Sequence, residues 1–170
     1  MTGQLSLDAG HELPRADFSP CRRYRYALRR TWGDGKPVVF VGLNPSTADE
    51  TQDDPTIRRC IRFARDWGYP GLVMANLYAW RSTDPGQLRK VEDPIGPDAD
   101  VWLARLAAEA GIVVCAWGTN ADNYRAERAA AILQGDPPRA LHVLGLSKHG
   151  APLHPLYQPA RLTPQPWTPE

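Results

Sequence analysis

The chain has little cysteine, almost no net charge and no long apolar run, and each scarcity removes a class of protein. Its three cysteines (Cys21, Cys60 and Cys115) are odd in number, and no two stand in C-x-x-C spacing. A four-thiolate zinc site or iron–sulfur cluster is thereby excluded, and neither a metal nor a cofactor is expected. The pattern suits reduced thiols in a cytoplasm. Twenty basic residues stand against nineteen acidic ones, a formal charge of +1, which argues against a generally sticky nucleic-acid binder. No apolar run approaches membrane-spanning length, no signal peptide opens the chain, and no internal repeat is visible. A soluble, cytoplasmic protein with no membrane partner is therefore expected. At 170 residues it is long enough for one domain with a substantial core and too short for two ordinary ones.

What is there is a repeated juxtaposition. Four apolar runs each end in a polar cluster: VVFVG (38–42) before LNPSTAD, GLVMA (71–75) before NLYAW, IVVCA (112–116) before WGTN, and LHVLGL (141–146) before SKHGAPLHPLY. Continuous Val/Ile/Leu runs are the mark of parallel strands buried on both faces. In such sheets ligands bind beyond the carboxyl ends of the strands. Helical segments separate the runs. Asp54-Pro55 supplies a cap and a first-turn proline for a helix ending at Gly68; residues 98–111 and 121–135 are amphipathic, and a Pro-rich connection over 81–97 has room for a short helix. RYRYALRRTW followed by GDGK (33–36) reads as a β-hairpin feeding the first central strand. The expected fold is α/β: a three-layer α/β/α sandwich around a mainly parallel four-stranded sheet, with an N-terminal β-hairpin. Its core covers about 20–157, between a loosely held lead-in (1–19) and an extended or partly disordered Pro-rich tail (158–170).

The clusters carry the candidate chemistry. LNPSTAD holds no glycine, so it is neither a Walker loop nor a dinucleotide fingerprint. Pro45 restricts Asn44 to extended or turn geometry, from which its amide can orient a water or a ligand, while Ser46 and Thr47 offer donors to an anion; a plain Asx or Ser/Thr turn fits equally well. Asn76 can read the edge of a planar heterocycle or be satisfied by backbone. Trp117 can be a pocket wall or core, beside Gly118, Thr119 and Asn120. His154, held by Pro155 with Leu156 and Tyr157 following, can donate to developing negative charge on a leaving group. Between Arg22 and Arg30 stand five arginines and no acid, a candidate basic stripe in which Arg23 and Arg25 would meet phosphates. Arg58 and Arg59, near the start of the first helix, are further phosphate candidates.

In this order the clusters resemble the uracil-DNA glycosylase superfamily. The counterparts of its water-positioning, base-reading, third-strand and leaving-group motifs stand here as Gly42-Leu43-Asn44-Pro45-Ser46, Met74-Ala75-Asn76, Cys115-Ala116-Trp117-Gly118 and His154-Pro155-Leu156, a resemblance over about 37–157. It implies catalytic roles for Asn44 and His154, with Leu43, Pro45, Ser46, Thr47, Asn76, Trp117, Gly118, Thr119, Asn120, Pro155, Leu156 and Tyr157 around the substrate. The sequence departs from that pattern in three ways. Asn44 stands where the best-known branch has Asp, Leu156 replaces a serine, and no aromatic residue follows LNPS closely enough to stack a base. LNPSTAD, DDPTIRR and HPLY more closely resemble an uncharacterised bacterial and phage family, a domain of unknown function. The expected function is glycosylase-like recognition of a flipped or modified nucleobase in DNA repair, with hydrolysis of its N-glycosidic bond and DNA or a nucleotide as partner. A non-catalytic nucleotide- or base-binding module and an enzyme on free nucleotides are the alternatives; the oligomeric state stays open.

Overall fold

The computed structural model describes residues 15–170, and every structural statement below concerns those residues. One mixed sheet of seven strands, β1 (Ala16–Phe18), β2 (Arg25–Thr31), β3 (Val38–Gly42), β4 (Gly71–Asn76), β5 (Ile112–Cys115), β6 (Leu141–Val143) and β7 (Gln165–Trp167), runs through the molecule in the order β1-β2-β4-β3-β5-β6-β7. Its four central strands are the expected runs: β3 (Val38–Gly42), β4 (Gly71–Asn76), β5 (Ile112–Cys115) and β6 (Leu141–Val143). β3 pairs in parallel with β4 and β5, and β5 with β6.

Three helices supply the crossovers: α1 (Pro55–Asp66), α2 (Ala99–Glu109) and α3 (Asn123–Gln134). α1 opens as its sequence dictates, with Pro55 in the first turn and Asp54 Oδ1 accepting the Ile57 N–H at 2.8 Å. It packs Ile57, Cys60, Phe63 and Ala64 against Val38, Phe40, Leu72 and Met74 on one face of the sheet. α2 and α3 pack Leu103, Leu106, Ala129 and Leu133 on the opposite face, against Val39, Val41, Val73 and Val113. The chain moves from β3 to β4 in one direction, then back across β3 to β5 and β6. The helices change side when the chain changes direction, as crossovers of one hand require. Ligand sites in sheets of this kind gather at the carboxyl ends near that reversal.

Three expectations need correction. The sheet has seven strands, not four. The tail is part of the fold: β7 (Gln165–Trp167) pairs antiparallel with β6, and the Trp67 indole donates to the Leu162 carbonyl at 2.9 Å. Finally, the hairpin partner is different. β2 (Arg25–Thr31) does not pair with β3, because β4 inserts between them. The turn at 33–36 steps over the start of β4, where Trp32 and Gly33 both donate to the Pro70 carbonyl at 3.0 Å. The antiparallel partner on the other side of β2 is β1 (Ala16–Phe18), drawn from the segment expected to be loosely held; residues 1–14 of that lead-in lie outside the described residues.

That topology also undoes the basic stripe. Lying between β1 and β4, β2 is an interior strand, and Arg25, Arg29 and Arg30 are buried. Arg29 ion-pairs with Asp17 at 3.4 Å and Arg30 with Asp53 at 2.8 Å. Only Arg22 and Arg23 of the five face solvent.

Candidate functional site

The loop after β3 is fastened on two sides. Beyond the strand ends the chain keeps pairing, with Leu77 donating to Gly42 at 2.9 Å and Tyr78 to Leu43 at 3.0 Å. The Asn44 side chain extends that seam: its Nδ2 donates to the Ser82 carbonyl at 2.9 Å and to the Pro45 carbonyl at 3.1 Å. From β2, Arg25 donates to the Ala48 carbonyl at 2.9 Å, and Arg30 to the Asp49 carbonyl at 2.6 Å. Part of what Asn44 does is therefore local and structural; its Oδ1 makes no hydrogen bond among the described residues.

Beneath this loop lies a small cavity at the carboxyl ends of β3 and β4. Its polar lining is Arg25, Asn44, Ser46, Asp54, Thr56, Asn76 and His154. A side chain at Gly42 would displace its neighbours: a Cβ at that position would stand 2.9 Å from Asn76 Oδ1 and 2.7 Å from Met74 Cε. The cavity encloses about 40 Å³, room for a water or two at the ~30 Å³ a liquid water occupies. Two of its donors are buried and unmatched. Arg25, 2 % exposed, has an Nε without a partner, and so does the Nδ2 of Asn76, 5 % exposed. A buried donor left unmatched costs on the order of 1–3 kcal/mol, so both are poised to receive an acceptor from a ligand or water. Burial pulls the Arg25 guanidinium down to about 10, against the opposing pull of Asp54; the group is still cationic at neutral pH.

His154 arrives by an excursion. After Val143 the chain turns out and back, with Ser147 donating to Ala151 at 2.8 Å and Leu153 to Gly145 at 3.0 Å. The returning arm is tied to the end of β5, where Gly118 N–H meets the Pro152 carbonyl at 2.9 Å. Gly118 has φ of +75°, and a Cβ there would stand 3.5 Å from that of His154. The Leu156 N–H donates to His154 Nδ1 at 3.2 Å, which leaves the ring proton of the neutral form on Nε2. Burial holds the imidazole below its ordinary range, with Asp54 pulling it the other way.

The same loop borders a second hollow. An open groove of about 400 Å³ is lined by Arg22, Arg23 and Arg81, by Ser46, Thr47, Ser82 and Thr83, and by Trp80. Ser46 belongs to both, so groove and cavity adjoin. Arg22 and Arg81 stack on the same ring, 4.0 and 4.7 Å from the Phe18 centroid, and Arg22 is also paired with Glu50. Arg22 holds the left-handed conformation at φ 58°, a strained geometry of the kind that gathers at working sites.

The residues singled out from the sequence divide accordingly. Leu43, Asn44, Ser46, Asn76 and His154 come together around the cavity, joined by Arg25 from the interior of β2 rather than from a surface stripe. Pro45 is buried with its carbonyl accepting from Ser82 N–H at 2.9 Å, and Thr47 and Arg23 face the groove. The β5 cluster does not join them. Trp117 is core, edge-on to Trp167 at 5.9 Å, while Thr119 and Asn120 face solvent. Pro155 is buried, Leu156 half-buried, and Tyr157 is 92 % exposed at φ 70°. Arg58 is exposed and donates to the Asp53 carbonyl at 2.9 Å, and Arg59 lies over Phe63 at 5.1 Å; neither lines the cavity or the groove. Several contributors carry no sequence signal of a site: Asp54 reads as a helix cap with Thr56 just behind it, and Arg81, Ser82 and Thr83 sit in a connection with no motif around them.

Fold and site thus define an α/β domain whose mixed seven-stranded sheet carries a polar strand-end cavity beside a basic groove. Residues 25–156 match the family described as "Protein of unknown function (DUF1643)". The match covers more than half of the chain, which therefore belongs to that family. No curated protein and no solved structure matches it. Among the described residues no helix is long and apolar enough to cross a membrane, and no group of three or more His, Cys, Asp or Glu could hold a metal ion.

Proposed function

We propose that the chain handles a nucleobase in the manner of the uracil-DNA glycosylase superfamily, hydrolysing the bond between base and sugar. The observation that carries this reading is the convergence of Asn44, Asn76 and His154 on one cavity from the ends of three separate stretches of chain. The unmatched Asn76 Nδ2 suits an acceptor on the edge of a base. The neutral His154 offers an Nε2–H to the negative charge that builds on the departing base, and an oriented donor in a dry site contributes on the order of 3 kcal/mol to such a step. Asn44 Oδ1 is free to hold a water. The groove beyond Ser46 supplies arginines and hydroxyls for phosphates on the same strand. A base enters a space of about 40 Å³ only if the loops bearing Ser46 and His154 draw apart, so binding and loop movement are coupled.

One observation favours a second reading. The Asn44 amide is committed to two carbonyls, which suits a non-catalytic module that binds a nucleotide or modified base. The two readings separate on one panel: single-stranded and duplex oligonucleotides carrying uracil, mismatches or modified bases, incubated with the protein and then treated with alkali. Strand breaks that vanish in His154→Ala establish the hydrolase. Tight, salt-sensitive binding without breaks establishes the module.

A further inference from the structure

We infer that Asp54 is the residue that takes the proton from the attacking water, a catalytic role that rests on the hydrolytic reading above. The resemblance in sequence would assign water activation to Asn44. An amide cannot accept that proton at neutral pH, and both hydrogens of this one are engaged with backbone carbonyls. Among the described residues Asp54 is the one carboxylate lining the cavity. Only its Oδ1 is engaged, by the Ile57 N–H, and among the described residues it makes no ion pair. A carboxylate has about four acceptor positions, so most of its capacity is left for water. Arg25 and Asn76, each with a buried donor that has no partner, line the same space, which makes this more than a helix cap that happens to be buried.

The step balances without any further reactant. A water O–H gives its proton to the Asp54 carboxylate as the water oxygen bonds to the anomeric carbon of the sugar. The carbon–nitrogen bond breaks, and its electron pair leaves with the base. His154 Nε2–H stabilises that anion, which then takes a proton from solvent while Asp54 returns its own to solvent. Asn44 Oδ1 orients the water and Asp54 deprotonates it. The two functions that one Asp would combine are divided between the strand end and the first cap of α1.

The bland role of Asp54 is capping, and Asn caps a helix as well as Asp does. Asp54→Asn therefore removes the proton acceptor and keeps the cap. The experiment is single-turnover base release from the best oligonucleotide of the panel, run with melting and binding measurements on the full chain. Release should fall about a hundredfold or more in Asp54→Asn, with melting temperature and oligonucleotide affinity unchanged. A second readout does not need turnover. The charged and titratable groups facing Asp54 are Arg25 from β2, Cys60 from α1 and His154 from the returning arm, so the His154 titration followed by NMR should move to lower pH in Asp54→Asn. Base release at the wild-type rate in Asp54→Asn overturns the assignment and leaves the hydrolytic reading standing, as does a His154 titration that does not move. A wild-type protein inert on every oligonucleotide overturns both.

Discussion

Two strand ends that read alike in sequence meet different fates. The end of β4 and the end of β5 each carry an apolar run into a short polar cluster, Asn-Leu-Tyr in one and Trp-Gly-Thr-Asn in the other. At β4, Asn76 stays in register opposite Gly42, and the missing side chain there leaves space for its amide at the cavity wall. At β5, Trp117 is taken into the core against Trp167 of β7. Gly118 is claimed by the Pro152 carbonyl, and the two polar residues beyond it are released to solvent. What decides is the neighbour: β5 is flanked by β6, which β7 covers, whereas the β3–β4 seam is roofed by loops, the one after β3 held on arginines and an asparagine and the arm that brings His154. A polar cluster at a strand end becomes a site where the adjoining residue is too small to fill the space.

That contrast can be broken by substitution. The largest expected effect falls on the β5 side and is structural: Trp117→Ala should destabilise the fold by about 3–5 kcal/mol, the usual cost of truncating a buried aromatic. Chemical denaturation measures it, and a loss below 1 kcal/mol would mean that Trp117 is not core. On the other side the effect is chemical. Asn76→Ala and His154→Ala should each slow base release by roughly 100-fold or more while the protein still melts cooperatively. Thr119→Ala and Asn120→Ala, alone or together, should leave release unchanged. Equal losses at both ends would make the β5 cluster part of the site after all.

The groove sharpens the comparison, since it lies beside one strand end and not the other. Arg23, exposed, and Arg81, held over Phe18, face it. Replacing either with alanine should weaken binding of a single-stranded oligonucleotide about tenfold and lower the salt slope by roughly one. Arg62→Ala, which removes the exposed partner of Asp66 on α1, should change neither. Fluorescence anisotropy across a salt series checks all three, and equal losses in Arg62→Ala would reduce the groove to general charge.

The central layer of this fold was legible in the sequence because buried parallel strands leave a simple signature. VVFVG coincides with β3, GLVMA falls one residue short of the end of β4, the other two runs contain β5 and β6, and Asp54-Pro55 starts α1. The edges were not legible, for identifiable reasons. β1 and β7 have three residues each, too few to show alternation, and β7 carries Pro166, which an edge strand tolerates and a sequence reading takes as a stop. GDGK is a sound turn signal whichever strand lies beside β2 in space, so it does not disclose that partner. Burial of Arg25, Arg29 and Arg30 follows from that pairing, and charge runs otherwise announce surface. Within the site, Asn44, Asn76 and His154 stood out by type and position. Asp54 did not, since its capping geometry already accounted for its place beside a proline.

The smallest effect expected is a pH dependence of stability, and its sign follows from where His154 lies. Burial disfavours the imidazolium, so the folded-state pKa is below that of the unfolded chain, the opposing pull of Asp54 notwithstanding. The unfolded state therefore binds the proton first as pH falls. Above about 6.5, the ordinary value for histidine, the ring is neutral in both states and its contribution is fully present. Between there and the lower folded-state pKa the contribution is progressively lost. His154→Gln cannot take up that proton and should flatten this part of the stability curve while leaving the region above pH 7 alone. Denaturation midpoints for the two proteins between pH 5 and 8 test it. Curves of the same shape would mean that the imidazole is as well solvated in the fold as outside it, and the β3–β4 end would then be as open to water as the end of β5.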